Sequence, residues 1–261
     1  MASRSGVGRI EAAHSGNVQA ASVPKTSPSF ALTEELKAKL RSVGTATLSS
    51  QLRKHGLNNV SIDGVRSTQP EKRMIGRART LRYIVHREDL FAEYGGGYNA
   101  QKRAFDEADK DDVLVMEARG ERNAGTVGDI LALRAQVRGA AGIVTDGCVR
   151  DVAALTRLAI PVYHAGPHPA VLGRKHIPWE ANVTISCGDA AVQPGDVIVG
   201  DADGVVVVPA RLVDLVVDAA IEQERQERFI AEQIAAGEAV EGLYPLNDLW
   251  TKRYEQWLKA R

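Results

Sequence analysis

The sequence predicts an α/β fold: a single domain with a central β structure, parallel βαβ units and flanking helices, extended at both termini. Two observations carry that expectation. Between residues 112 and 158, short apolar runs (DVLVME, then GIVT) alternate with helical patterns, the order that produces right-handed βαβ crossovers and a parallel sheet. From residue 183 onward the apolar runs VTIS, VIVG and VVVV lie close together, separated by the turn signals PGD and DADG, which fits antiparallel or mixed pairing. At 261 residues the chain is long enough to bury one sizeable core.

The elements follow in order. Residues 1–30 mix Ser, Gly, Ala and Pro without a sustained period and read as a flexible arm preceding the domain at 31–242. Thr33, followed by Glu34 and Glu35, opens a helix running to about Arg41. Thr45 opens a second helix that Gly56 ends. RARTLRYIV at 77–85 has the β-branched and aromatic content of a strand. Residues 86–105 read as an insertion holding a glycine loop, GGG at 95–97, and the start of a helix at about 100–108. A strand is expected at 112–117, a helix at about 129–137 stopped by Gly139, and a strand at 142–145. A tight turn is expected at Asp146–Gly147, then a helix from Asp151 to about Leu158. The β-rich stretch that follows leads into a long helix from about Pro209 to Ala236. In the extension at 243–261, Trp250, Tyr254 and Trp257 recur at helical spacing and are expected to anchor a C-terminal helix.

Thirty-three basic residues balance thirty-three acidic ones, so no net field recruits nucleic acid or an anionic membrane. No apolar run approaches the roughly 20 residues that span a bilayer, and the N-terminus lacks an apolar signal core. A cytoplasmic protein is expected. The two cysteines, Cys148 and Cys187, are far apart with no CxxC pattern, as expected of reduced, buried thiols.

The stretch GIVTDGCVRD ends a strand on adjacent opposite charges, Arg150 and Asp151. Twenty residues separate Asp129 from Arg150, enough for a helix to run down and a strand to return. Asp129, Arg150 and Asp151 therefore come to one carboxyl edge of the sheet, where open α/β sheets bind ligands. Two carboxylates there can hold a hard divalent cation, directly or through waters. Arg150 offers a planar fork that fits a substrate carboxylate, and the amides of Ile130 and Leu131 at the helix start add an anion cradle. Such a site would grip a 2-oxo acid. The competing reading makes Asp129 a helix cap and pairs Arg150 with Asp151 or another acid; spacing alone leaves both open.

The pattern D-x20-R-D, present as Asp129 and Arg150-Asp151, resembles the RraA-like family, which includes class II pyruvate aldolases of the 4-hydroxy-4-methyl-2-oxoglutarate aldolase type. PVYHAGPHP, VQPGDVIVGDADGVVVVP and the long helix extend the resemblance over residues 33–242. It implies a swivelling β/β/α fold, a homotrimer or homohexamer with active sites between subunits, and Mg2+ or Mn2+ as cofactor. The implied activity is lyase cleavage of a 2-oxo-4-hydroxy acid to pyruvate, with oxaloacetate decarboxylation. By position, Asp151 would ligate the metal, Arg150 would bind the substrate carboxylate and keto group, and Asp129 would hold a metal-bound water. Gly128, Asp129, Ile130 and Leu131 would supply further substrate contacts. A glutamate from a neighbouring subunit's C-terminal helix would assist, with Glu224 the best match and Glu227 next. Ser49-Ser50 stand where many members carry an acid. The family's namesake binds and inhibits an endoribonuclease, so a non-catalytic regulator is the alternative.

Other motifs lead elsewhere. DADG at 201–204 lacks the remaining ligands of a calcium loop, and GGG lacks the context of a phosphate loop. Prolines around His164 and His168 exclude a helical HxxxH pair, leaving loop histidines that lie near the substrate or serve the structure. Cys148 has no recognisable partner base.

Overall fold

The computed structural model describes residues 30–261; the arm expected before them lies outside the described residues. Residues Ala31–Arg261 form one compact unit, the C-terminal extension included. Helix α1 (Glu34–Arg41) begins at Thr33, whose hydroxyl accepts the Leu36 N–H at 3.1 Å, and α2 (Thr45–Lys54) follows. Next come β1 (Arg66–Ser67), the long β2 (Met74–Val85), α3 (Glu88–Leu90) running into a π-helical turn over Phe91–Gly95, and α4 (Ala100–Asp106). The central crossovers are β3 (Asp112–Glu117), α5 (Asp129–Val137), β4 (Gly142–Val149), α6 (Val152–Leu155) and β5 (Val162–Pro167). Then come β6 (His176–Ala181), the separate hairpin β7 (Ile185–Cys187) and β8 (Ala190–Val192), the hairpin β9 (Val197–Gly200) and β10 (Val205–Val208), α7 (Val213–Ala235) and α8 (Asp248–Lys259).

The main sheet runs β1-β5-β4-β3-β2-β9-β10. Its centre, β2-β3-β4-β5, is parallel, and the flanking pairs are antiparallel. Strand β2 carries two partners on one edge: β9 pairs with Met74–Arg77, and β6 pairs with Leu81–Val85. That division curls the sheet.

The interior of β3 and the start of β4 are apolar because both sheet faces are covered there. Leu114, Met116 and Ile143 face Phe105, Ala132, Ala135 and Leu155 of the helices. The alternating residues Val113, Val115 and Val144 face Ile185, Cys187 and Val192 of the small hairpin. Burial holds both thiols protonated above their usual range.

Three expectations change. The strand expected to stop at Thr145 continues to Val149, and Asp146–Gly147 is an irregularity in its pairing with β5 rather than a turn. The buried Asp146 carboxylate accepts the Ala118 N–H at 2.5 Å and the Gly120 N–H at 3.0 Å. Gly147 lies so close to the same loop that a Cβ there would stand 2.6 Å from the Ala118 Cβ. Glycine serves a close approach here. Helix α6 ends at Leu155 instead of Leu158; within the expected insertion residues 88–95 are helical, and Gly96 and Gly97 follow in a loop.

The C-terminal aromatics anchor α8 to α7 of the same chain. Trp250 and Tyr254 pack with Phe229, Ile230 and Leu243, and the Trp257 indole N–H donates to Glu232 at 2.8 Å. Among the described residues no helix is long and apolar enough to cross a membrane.

Candidate active site

Strands β3 and β4 are parallel neighbours, so the loop leaving β3 and the residues leaving β4 emerge at one edge. Backbone bonds then lay that loop against the end of β4. The Thr126 N–H donates to the Cys148 carbonyl at 2.7 Å, and the Arg150 N–H donates to the Val127 carbonyl at 2.9 Å. Two glycines set how closely the segments meet. A Cβ on Gly125 would run into the Arg150 side chain, and one on Gly128 would stand 2.6 Å from the Asp151 Oδ2. The structure thus gathers Gly128, Asp129, Arg150 and Asp151, as the spacing predicts.

Asp151 adopts the left-handed conformation, φ 57° and ψ 38°, which costs a non-glycine residue about 1 kcal/mol or more. Its carbonyl accepts the Ala154 N–H at 2.8 Å and so starts α6. That twist leaves the carboxylate beside Gly128. Among the described residues neither the Asp151 carboxylate nor the half-buried Arg150 guanidinium has a hydrogen-bond or ion-pair partner, so the expected alternative of a structural Arg150–Asp151 pair is not what forms. Asp129 is the first residue of α5, and the cap position belongs to Gly128. The Asp129 Oδ1 accepts the Ile130 N–H at 2.8 Å. Of the two amides expected to be open, that of Ile130 is therefore taken within the chain. The Leu131 side chain packs on the core.

Arg150 and Asp151 open onto a cavity of about 440 Å³ lined by residues 149–152 and 167–169. Strand β5 brings His168 there: Val149 pairs with Pro167, and the His168 N–H donates to the Val149 carbonyl at 2.9 Å. His164 is instead partly buried, with an Nδ1 that has no partner among the described residues and a pKa lowered by desolvation.

Within the chain Glu224 stands apart from this group. Its Oε1 accepts the Gly44 N–H at 3.0 Å and the Thr47 hydroxyl at 2.7 Å, capping the start of α2. Glu227 accepts from the Gln223 amide at 2.9 Å.

Among the described residues no cluster of three or more His, Cys, Asp or Glu side chains is arranged to hold a metal. A zinc site, which needs three or four such ligands, does not fit. Two carboxylates do fit Mg2+ or Mn2+, which commonly take one or two from the protein and fill the remaining positions with water or substrate oxygens.

Sequence reasoning did not single out Asp146, which sets the loop that carries this edge. Burial raises its pKa, while the amides of Ala118, Gly120 and Gly188 act against that rise. A β-strand aspartate before glycine reads as a turn, and only tertiary contacts reveal otherwise.

Comparison with known proteins bears on the family and the fold. The model of the RraA-like family, described as Aldolase/RraA, matches residues 45–207. A protein of Halalkalibacterium halodurans provisionally named a 4-hydroxy-4-methyl-2-oxoglutarate aldolase is 32% identical over 200 residues, covering 75% of this chain and 89% of its own. The crystal structure of Streptomyces coelicolor RraAS2, titled an unusual member of the RNase ES inhibitor RraA family, superposes with a TM-score of 0.70 at 31% identity, over 79% of this chain and 98% of its own. An uncharacterized protein from Pseudomonas syringae superposes equally well, with a TM-score of 0.70 at 26% identity, over 81% and 98%.

Proposed function

The chain belongs to the RraA-like family, and we propose that it is a divalent-metal-dependent carbon–carbon lyase, cleaving a 2-oxo-4-hydroxy acid of the 4-hydroxy-4-methyl-2-oxoglutarate type to pyruvate and decarboxylating oxaloacetate. The observation that carries this reading is the Asp151 carboxylate seated against Gly128, which precedes Asp129, with neither it nor the Arg150 guanidinium paired among the described residues. A relative provisionally named as such an aldolase supports it.

In this scheme Asp151 and Asp129 would hold Mg2+ or Mn2+, directly or through water. When bound, the ion supplies Lewis-acid polarisation of the 2-oxo group. Arg150 donates to the substrate carboxylate and the 2-oxo oxygen. As the C3–C4 bond breaks, its electrons move toward that oxygen, and the guanidinium meets the growing charge. Aldol cleavage also requires a base for the 4-hydroxyl proton. The candidates are the Asp129 oxygen not bonded to Ile130 and a glutamate of α7 from a neighbouring copy. Oxaloacetate loses CO2 without that proton transfer, so decarboxylation needs only the electron sink.

A homotrimer or homohexamer with sites between subunits belongs to this proposal. Supporting it, Ile130, Leu133 and Val137 expose an apolar stripe on α5 beginning beside Asp129, and such stripes mark association surfaces.

The test is pyruvate release from 4-hydroxy-4-methyl-2-oxoglutarate and from oxaloacetate, with and without a chelator. Activity that the chelator abolishes and Mg2+ restores is expected. The likeness to RraAS2 favours a second reading, a protein-binding regulator of an endoribonuclease. Silence on both acids together with tight ribonuclease binding would establish that reading instead.

A further inference from the structure

We propose that His168 selects the far end of the substrate, donating from Nε2 to a second carboxylate so that the site prefers 2-oxo diacids to monoacids of equal length. The inference rests on the lyase reading of the Arg150–Asp151 site and adds to it the group recognised beyond C4.

The register places His168 beside Arg150. Val149, the last residue of β4, pairs with Pro167, the last residue of β5, across parallel strands, so Arg150 and His168 each follow a paired residue at the same edge of the sheet. The His168 N–H is fixed to the Val149 carbonyl at 2.9 Å. Pro167 and Pro169 restrict the backbone on either side.

The ring is oriented as well. The Ala170 N–H donates to the His168 Nδ1 at 3.0 Å. A ring nitrogen that accepts carries no hydrogen, so the neutral imidazole bears its proton on Nε2. Nε2 has no partner among the described residues, and His168 lines the same cavity as Arg150 and Asp151.

The charges in that cavity decide what His168 can meet. Its remaining lining is Val149, Val152 and the two prolines, which leaves three polar side chains. Arg150 takes the carboxylate next to the keto group. In the lyase reading Asp151 is occupied by the metal ion, and its carboxylate has no hydrogen to donate. Among the described residues of this lining, His168 is then the side chain able to donate to a distal acceptor. At about 440 Å³ the cavity is within the range of small-molecule sites.

The assignment is tested by calorimetric binding in the presence of Mg2+, using pyruvate, 2-oxoglutarate and 2-oxopentanoate. The last two match in length and differ in a terminal carboxylate or methyl, and neither carries the 4-hydroxyl that aldol cleavage requires. The wild type is expected to prefer 2-oxoglutarate. His168→Leu should lower that preference at least about tenfold, as for loss of a hydrogen bond to a charged group, and leave pyruvate affinity unchanged. His168→Gln, which keeps an N–H near the Nε2 position, should retain most of the preference. A ratio unaltered in His168→Leu, or an equal loss for pyruvate, overturns the assignment alone. A wild type that binds none of the three acids overturns the site itself, and this assignment with it.

Discussion

The Asp151 carboxylate occupies space beside Gly128 that any side chain at position 128 would enter. An added Cβ would stand 2.6 Å from Oδ2, a separation that forces one group to move. The φ of Gly128 is −123°, which alanine accepts without strain. Gly128→Ala should therefore displace the carboxylate while leaving the fold intact. Roughly a 100-fold loss of lyase activity is expected, with stability changed by about 1 kcal/mol or less. Steady-state kinetics and thermal unfolding together check this, and a fully active Gly128→Ala enzyme would detach Asp151 from the chemistry.

Asp151 itself separates function from folding. Asp151→Gly removes the carboxylate and also relieves a left-handed conformation, φ 57°, while glycine adds unfolded-state entropy of similar size, so stability should stay within about 1 kcal/mol. Both aldol cleavage and decarboxylation should vanish. Arg150→Ala should leave at most a trace of either. Mg2+ binding, followed by calorimetry, should be lost in Asp151→Gly and survive in Arg150→Ala. Equal metal binding in all three proteins would remove Asp151 as the ligand.

Much of this was legible before any coordinates. The twenty residues between Asp129 and Arg150 fix one helix and one strand, and the structure returns both ends to one edge because β3 and β4 are parallel neighbours. Strand β3 and helix α5 have the bounds expected from periodicity. The Asp146–Gly147 irregularity was not legible, because the same dipeptide suits a turn, and only contacts with Ala118 and Gly120 keep it in the strand. His168 was one loop histidine among two; the β4–β5 register, a long-range property, sets it apart. The role of Glu224 depends on what α7 packs against, which the helical spacing of its many glutamates does not encode.

His176 gives the fold an acid limit. The ring is fully buried, its Nε2 has no partner among the described residues, and desolvation, with the neighbouring Arg119 second, lowers its pKa from 6.5 to about 4. Because the unfolded chain binds the proton more readily, the contribution is fully present above pH 6.5 and is lost as pH falls toward 4. Between those values the loss is on the order of 3 kcal/mol. His176→Phe keeps a planar ring, slightly larger, and removes the titration. Urea unfolding at pH 7 and pH 4 should show the wild type losing about that much more than the variant. Parallel losses in the two proteins would place the acid sensitivity elsewhere.

Glu224 offers a choice between two roles that one substitution can distinguish. Its carboxylate joins α7 to α2 through the Gly44 N–H and the Thr47 hydroxyl, a cap of the kind worth roughly 1–2 kcal/mol. In every copy of the chain the same carboxylate has this task, so a catalytic contribution to a neighbouring site would have to break the cap or share its second oxygen. Glu227, held among the described residues by the Gln223 amide alone, is under less constraint. Glu224→Gln keeps an acceptor for one donor and loses the charge. It should lower stability by about 1 kcal/mol and leave kcat within a few-fold, whereas Glu227→Gln should depress aldol cleavage and spare oxaloacetate decarboxylation, which needs no base. If Glu224→Gln instead abolishes aldol cleavage with stability unchanged, the capping role is secondary, and Glu224 is the residue that reaches across the subunit boundary.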